Sequence, residues 1–475
     1  MIDNTMLGLI APEIFVTAMA SVILLAGVFA GNQQSKIVYV LSLATLLGAG
    51  IITFNTMPLV SQFIFDNAFI VDRFACQLKI VMYAILAGIY VYSRMYMLQR
   101  DFASGEFYSL SLLSLLGMML VISCGNYLTL YLGLELLILP VYAMIVFVKN
   151  RAKYIEAAMK YFVIGSLGAG LLLFGISLIF GATGTVSFSG VAADASLIPI
   201  FQMGMIFIIV GVALEFGAVP FHMWLPDVYE GSPTAVTMIV GTIPKIAIFA
   251  LAYRLLTLPF VNISTAWQQL FMIMALLSIA LGNVLGIAQP NLKRMLAYST
   301  IGHVGFILLG LFAAPRAGYT ATIFYTIVYA FMALAAFGMI TRLTTAGFES
   351  DKIADFKGLN QRDPWLAFIM MLIMLSLAGI PPLIGFYAKF LILQAVVNAG
   401  YSWIAVTALV FTVIGTFYYL RIVYLMYFYA ADKTSNFDHG MSTLARVTLS
   451  VQGLALLFFG IFPAAIFYYC LVMLS

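Results

Sequence analysis

Runs of about twenty apolar residues recur along the whole of this chain, and no other feature restricts its fold so severely. They fall near 7–30, 37–56, 75–97, 106–124, 127–148, 154–180, 200–219, 233–256, 267–288, 292–313, 318–343, 365–398, 401–429 and 446–473. In hydrocarbon every backbone N–H and C=O has to be satisfied within the protein, so such runs are read as helices. With 64% hydrophobic and 8% charged residues the chain departs far from soluble domains, about a quarter of whose residues are charged. Water-soluble enzyme folds are excluded. The expected fold class is an all-α polytopic membrane protein with about fourteen transmembrane helices and no soluble domain. The N-terminal MIDNTMLG lacks a basic n-region, so no cleavable signal is expected. The net charge of +4 is spread over loops and carries no implication of nucleic-acid binding. Cys76, Cys124 and Cys470 are isolated in or beside apolar runs and are expected to pack as small apolar residues.

Two spans are interrupted. In GVALEFGAVPFHMWLPDVYEGSPTAVTMIVGTIPK, residues 211–245, Pro220 breaks the seventh run five residues after Glu215. An acidic, proline-containing loop is expected next, and Lys245 then follows Pro244 in the eighth run. The run 365–398 is too long for one straight crossing, and GIPPLIG at 379–385 interrupts it. The broken seventh and twelfth spans lie five apart, so they run in opposite directions. Inverted repeats with broken helices near the midplane are a recurring transporter architecture, and chance placement of prolines is the bland alternative. The expected division of a single transmembrane domain over 1–475 is three N-terminal helices (1–100), a first repeat (106–256), a second repeat (267–429) and a C-terminal helix (446–475). Residues 57–74 read as a short hairpin or a lateral helix. The longest polar stretches are 181–199, 344–364 and 430–445.

Lys and Arg orient the chain. With the N-terminus outside, the inside loops collect Lys36, Arg94, Lys149, Arg151, Lys293, Arg294, Lys352 and Lys433 among others. The outside loops hold Arg73, Arg254 and Arg316, with Lys79 just inside a span. Both termini are therefore expected outside, as an even number of crossings requires.

Glu135, Glu215, Lys245, His303 and Lys389 sit well inside spans, and Lys160 somewhat less deep. A charge at bilayer depth costs about 2.5–3.5 kcal/mol even on lenient insertion scales, so each is a functional candidate. Lys245 lies nine residues from Arg254 at the membrane edge, roughly 14 Å along a helix. Glu135 also reads as a protonated packing residue, His303 as a satisfied structural histidine, and Lys160 as a side chain snorkelling to the inner surface. The abundant Tyr and Phe read as packing and interface belts. His222 in PFHMW lies beyond the break near the inner surface, and Glu13 and Arg421 read as interfacial or locally paired. Loss of water favours the neutral form of an ionisable group, so the set suits proton relay. There is no phosphate loop, haem motif, metal-spaced cluster or nucleophile elbow, and no nucleotide, haem, iron–sulfur or metal site is expected in this chain.

LGLELL around Glu135, VPFHMWLPDVYEGSPTAVT from Val219 and PKIAIF around Lys245 resemble the antiporter-like subunits of respiratory complex I, the proton-pumping NADH–quinone oxidoreductase. So do NLKRMLAYSTIGHVG from Asn291 and GIPPLIGFYAKF ending at Phe390. The resemblance covers roughly residues 100–430. Lysine at 389, where one branch of the family carries glutamate, and the lack of a long C-terminal lateral helix favour the branch with lysine there. The resemblance implies a glutamate on the fifth helix paired with a lysine on the broken seventh. It further implies a central lysine on the eighth helix and an exit lysine on the twelfth. These positions are Glu135, Glu215, Lys245 and Lys389, with His303 matching a polar position between the last two. Glu215 departs from the pattern, and Lys160 is the candidate to supply the missing positive charge.

The reading that follows is a proton-translocating membrane subunit, with NADH oxidation and quinone reduction on other subunits. Its expected partners are further membrane subunits of complex I, antiporter-like ones among them, and the lipid bilayer of the cell inner membrane. The alternatives are a subunit of a multi-subunit cation/proton antiporter, which needs no redox partner, and a structural anchor whose buried charges are relics.

Overall fold

The computed structural model describes residues 4–29, 34–100, 104–147, 152–189, 198–313, 317–344, 351–430 and 443–474. Among them the chain runs through α1 (Asn4–Leu9), α2 (Ala11–Phe29), α3 (Gln34–Asn55), strands β1 (Gln62–Ile64) and β2 (Phe69–Val71), and α4 (Arg73–Leu98). Then come α5 (Gly105–Ile122), α6 (Tyr127–Ile145), α7 (Ala152–Thr183), α8 (Ile198–Phe216), α9 (Trp224–Gly231), α10 (Thr234–Gly241) and α11 (Ile243–Thr257). The rest is α12 (Ser264–Ile287), α13 (Leu292–Phe312), α14 (Ala317–Leu343), α15 (Leu359–Arg362), α16 (Pro364–Ala378), α17 (Ile384–Asn398), α18 (Ser402–Phe428), α19 (Thr443–Ile461) and α20 (Ala464–Met473). Thirteen helical stretches in the described residues are long and apolar enough to cross a membrane, and α16 with α17 forms a further apolar pair. Lys149, Arg151, Arg316 and Lys433 of the orientation argument lie outside the described residues, as does most of the polar stretch 430–445.

Three local expectations are refined. Residues 57–74 contain a hairpin: β1 and β2 pair antiparallel with Phe63 opposite Ile70, around a turn in which Phe65, Asp66 and Asn67 have positive φ. The acidic stretch after Pro220 is helical rather than a loop. Asp227 and Glu230 stand on α9, where Arg294 of α13 reaches them at 2.6 and 3.2 Å. The last span ends at Ile461, and α20 begins after Pro463, whose ring cannot continue a helix from its interior.

The chain divides into two compact units, each discontinuous in sequence. The first holds residues 1–90, 102–216 and 243–269; the second holds 91–101, 217–242 and 270–475. In the first, α5 packs along α6 and α2, and α7 along α8. In the second, α14 packs against α10, α13, α16 and α17. Helices that are apolar all round and still buried, such as α13 and α14, form the interior, whereas α7 and α18 keep large apolar side chains on their outer faces. Asn126 caps α6 by accepting from Thr129 N at 2.7 Å, and Asn291 caps α13 by accepting from Arg294 N at 3.0 Å.

Both expected interruptions are present and built alike. α8 ends at Phe216 and Gly217 takes φ +71°; α16 ends at Ala378 and Gly379 takes φ +83°. A glycine just past a helix end adopts the left-handed conformation without the clash a Cβ brings. Prolines 220, 381 and 382 follow and prevent the helix from resuming. At Gly379 an added Cβ would also lie 2.8 Å from Lys389 Cδ. Gly379→Ala is therefore expected to lower the stability of the protein by about 1–3 kcal/mol, the usual toll of a non-glycine residue held at positive φ. A thermal unfolding midpoint equal to the native one would contradict this.

Candidate functional site: two lysines at interrupted helices

A helix end leaves its last carbonyls without intrahelical donors, and in a membrane interior water does not replace them. In the first unit Lys245, the third residue of α11, supplies the donor. Its side chain is 1% exposed, and Nζ donates to Glu215 O at 3.1 Å and Phe216 O at 3.0 Å. An ammonium at a helix C-terminus also meets the negative end of the helix dipole.

The second unit repeats the device. Lys389 Nζ donates to Leu377 O at 3.0 Å and Ala378 O at 2.8 Å, the final carbonyls of α16. The ammonium lies over the Phe306 ring, 5.7 Å from its centroid, where the negative π face adds a weak attraction. Lys389 stands on α17, the second half of the same broken helix, whereas Lys245 comes from a different helix than α8.

The carboxylates lie in the first unit. Glu215 is buried, and the opposite charge of Lys245 and the like charge of Glu135 both act on its side chain. Glu135, on α6 and half-buried, hydrogen-bonds Tyr131 one turn before it. Lys160 does not join them as the missing positive charge. It points from the outer face of α7 and pairs with Glu156 at 2.8 Å, both side chains largely exposed. The i,i+4 spacing on one helix accounts for that pairing.

His303 is buried in the second unit. Its Nδ1 is 2.6 Å from Tyr325 Oη of α14, and its Nε2 is 3.4 Å from Tyr419 Oη of α18. Tyr419 also shares a short hydrogen bond with Ser299. Tyr329 Oη lies 2.8 Å from Thr300 Oγ1 and 3.1 Å from the carbonyl oxygen of Gly241, the last residue of α10, so its single proton is shared between two acceptors. The charge of Lys389 acts on His303. This hydroxyl network was not expected, because the tyrosines read as packing. The usable signal is spacing: Ser299, Thr300 and His303 lie within one turn of α13, and Tyr325 and Tyr329 within one turn of α14. His222, just beyond Pro220, is half-buried, with no partner for Nδ1 among the described residues.

Other charges are more buried than expected. Lys293, counted with the inner loops, is fully buried and donates to Ser232 O at 2.9 Å. Arg254 pairs with Asp72 and is 6% exposed, and Glu13 pairs with Lys79. Among the described residues no three His, Cys, Asp or Glu side chains gather as metal ligands would.

The family described as NADH:quinone oxidoreductase/Mrp antiporter, TM matches residues 124–415. NADH-quinone oxidoreductase subunit N of Thiobacillus denitrificans is 48% identical, covering 97% of this chain and 95% of its own. A chain of respiratory complex I from Thermus thermophilus matches with a TM-score of 0.81 and 29% identity, covering 95% of this chain and 98% of that one. A chain of the Mrp complex from Dietzia shares the fold, with a TM-score of 0.83 at 20% identity, covering 97% of this chain and 96% of that one.

Glu215→Gln, which keeps shape and hydrogen-bonding capacity, is expected to retain more proton pumping than Glu215→Ala. Two like charges close together in a dry site do not both ionise, so a neutral amide imitates the protonated acid. Equal losses in vesicle pumping assays would remove the carboxyl group of Glu215 from the path.

Proposed function

The chain belongs to the NADH:quinone oxidoreductase/Mrp antiporter transmembrane family, and from that premise we propose that it serves as the N subunit of a proton-pumping NADH–quinone oxidoreductase. Its role is proton translocation within the inner membrane, while NADH oxidation and quinone reduction take place on partner subunits. The 48% identity to a named subunit N over nearly the whole chain supports this reading over a free-standing cation/proton antiporter.

The observation that carries the mechanism is the pair of lysines on interrupted helices. An ammonium that donates to neutral carbonyl oxygens gains less from those bonds than one hydrogen-bonded to a carboxylate, and buried lysines readily lose their proton. When Lys245 or Lys389 does so, the amine keeps two N–H donors for the same carbonyls, so the helix end stays satisfied in both protonation states. Glu135 and Glu215 are the acids that load Lys245. Lys389 is the group that releases protons outward, and His303 with its hydroxyl neighbours is the relay of the second unit. The Lys and Arg asymmetry of the loops supports both termini outside, and residues 106–256 and 267–429 are read as the two inverted repeats. Lys160 stays a peripheral candidate that exchanges protons near its surface.

Lys245→Ala is expected to abolish NADH-driven pumping in inverted vesicles while the complex stays assembled, since it removes the amine that stands at those carbonyls. Normal pumping by an intact Lys245→Ala complex would end the relay reading. Lys389→Ala is expected to slow NADH–quinone turnover and Lys389→Arg to slow it less. Undiminished turnover with alanine would rule out an exit role. Mild-detergent extraction should bring down flavin- and iron–sulfur-containing partners with NADH dehydrogenase activity; recovery of small membrane partners alone would favour the antiporter.

A further inference from the structure

The first unit contains two ion pairs near the start of α4, and they are built differently. Asp72 and Arg254 form a finished pair. Arg254 Nη1 and Nη2 lie 2.7 and 2.8 Å from the two Asp72 oxygens. Arg254 Nε donates to Ile122 O at 3.3 Å, and Asp72 Oδ1 also accepts from Ala75 N at 2.8 Å. Glu13 of α2 and Lys79 of α4 are joined by a single contact of 2.6 Å, with side chains 8% and 2% exposed. Glu13 Oε2 is buried with no hydrogen-bond partner among the described residues. The Lys79 ammonium has its one hydrogen bond, among the described residues, from Nζ to Glu13, with the Phe69 ring centroid 5.1 Å away.

A buried ion pair offsets its desolvation only when its remaining lone pairs and protons are also satisfied. Asp72–Arg254 meets that condition. Glu13–Lys79 leaves one carboxylate oxygen and two ammonium hydrogens without partners among the described residues. Transfer of one proton from Lys79 Nζ to Glu13 Oε1 breaks an N–H bond, forms an O–H bond and leaves a neutral pair joined by the same hydrogen bond. Such a pair takes up one further proton, becoming ammonium plus carboxylic acid, and gives it back. The charged and titratable groups around it are Asp72, Cys76, Tyr83 and Arg254. Cys76 and Tyr83 are buried and neutral, and the finished Asp72–Arg254 pair is charge-balanced.

We propose that Glu13 and Lys79 form a second proton-exchanging site, separate from the Glu135–Glu215–Lys245 group, which alternates between holding one proton and two. This rests on the proton-relay reading of the chain. α11 carries Lys245 at its start and, nine residues further on, Arg254, whose partner Asp72 directly precedes α4, the helix of Lys79. Glu13 is the third residue of α2 and Lys79 the seventh of α4, so the site stands near the start of both helices and exchanges protons with the surface there.

The test uses the intact complex in inverted membrane vesicles, with assembly checked on native gels and pumping measured per NADH oxidised across pH. The double variant Glu13→Leu/Lys79→Met removes both charges and keeps an apolar filling, a change that a purely structural ion pair tolerates. It is expected to assemble and to pump several-fold less. Glu13→Gln, which retains an acceptor for Lys79, is expected to depress pumping and to alter its pH profile. An assembled double variant that pumps at the native rate overturns the proposal. If the double variant does not assemble, Glu13→Gln decides: a profile superimposable on the native one overturns the site, and a depressed, altered profile supports it. Lys245→Ala, run in parallel, separates the two readings. Native pumping there defeats the relay itself, whereas its loss alongside native pumping in the Glu13 and Lys79 variants defeats only the second site.

Discussion

A carbonyl freed inside a membrane has to find a donor within the protein, and the internal architecture of this chain follows from that need. Unmet, each such group costs several kcal/mol in hydrocarbon. At three buried helix ends among the described residues a side chain from beyond the break answers. Lys245 serves the end of α8, Lys389 the end of α16, and Tyr329 the end of α10. The interruptions thus serve as fixed ligands for ionisable groups.

This arrangement explains how charge is tolerated where a continuous helix would exclude it. A lysine among closed helices would have only apolar neighbours, and its desolvation would go uncompensated. At a broken end it meets carbonyl oxygens and the negative end of a helix dipole, which steady the ammonium while still accepting hydrogen bonds from the neutral amine. A carboxylate partner would hold the proton more firmly. Asp72–Arg254 shows what a firm pair looks like here: two short contacts, a further backbone hydrogen bond at each partner, and no oxygen left over. The proposed relay groups differ from such a structural pair in how completely their hydrogen bonds are met.

The second unit adds a different medium for the same chemistry. Around His303 the groups are hydroxyls from α13, α14 and α18, each able to donate and accept. A tyrosine or serine hydroxyl passes a proton on by accepting one and donating another, without holding a charge at rest. Aromatic rings pack the spaces between, with Phe306 stacked on Tyr325 at 5.6 Å and also facing Lys389. Packing and the hydroxyl network therefore use the same residues.

How much of this was legible beforehand depends on whether the cause was local. Apolar runs of membrane length specify helices by themselves, because backbone satisfaction in lipid leaves no cheaper structure. Pro220, Pro381 and Pro382 mark the interruptions for an equally local reason, since a proline ring cannot join a helix interior. The depth of Glu215, Lys245, His303 and Lys389 could be counted along their helices in the same way. Which partner each group meets could not be counted. Lys160, counted as somewhat less deep than these, faces outward to Glu156, because its direction is set by how α7 packs on α8. Glu13 and Lys79 lie 66 positions apart and read as separate edge charges until α2 and α4 are brought together. The tyrosines looked like packing because a hydroxyl becomes a relay only when another helix presents a partner within hydrogen-bond reach. Composition and proline placement determined that the chain crosses a membrane in broken helices, and tertiary structure alone decided which buried charges are answered by carbonyls, by carboxylates or by hydroxyls.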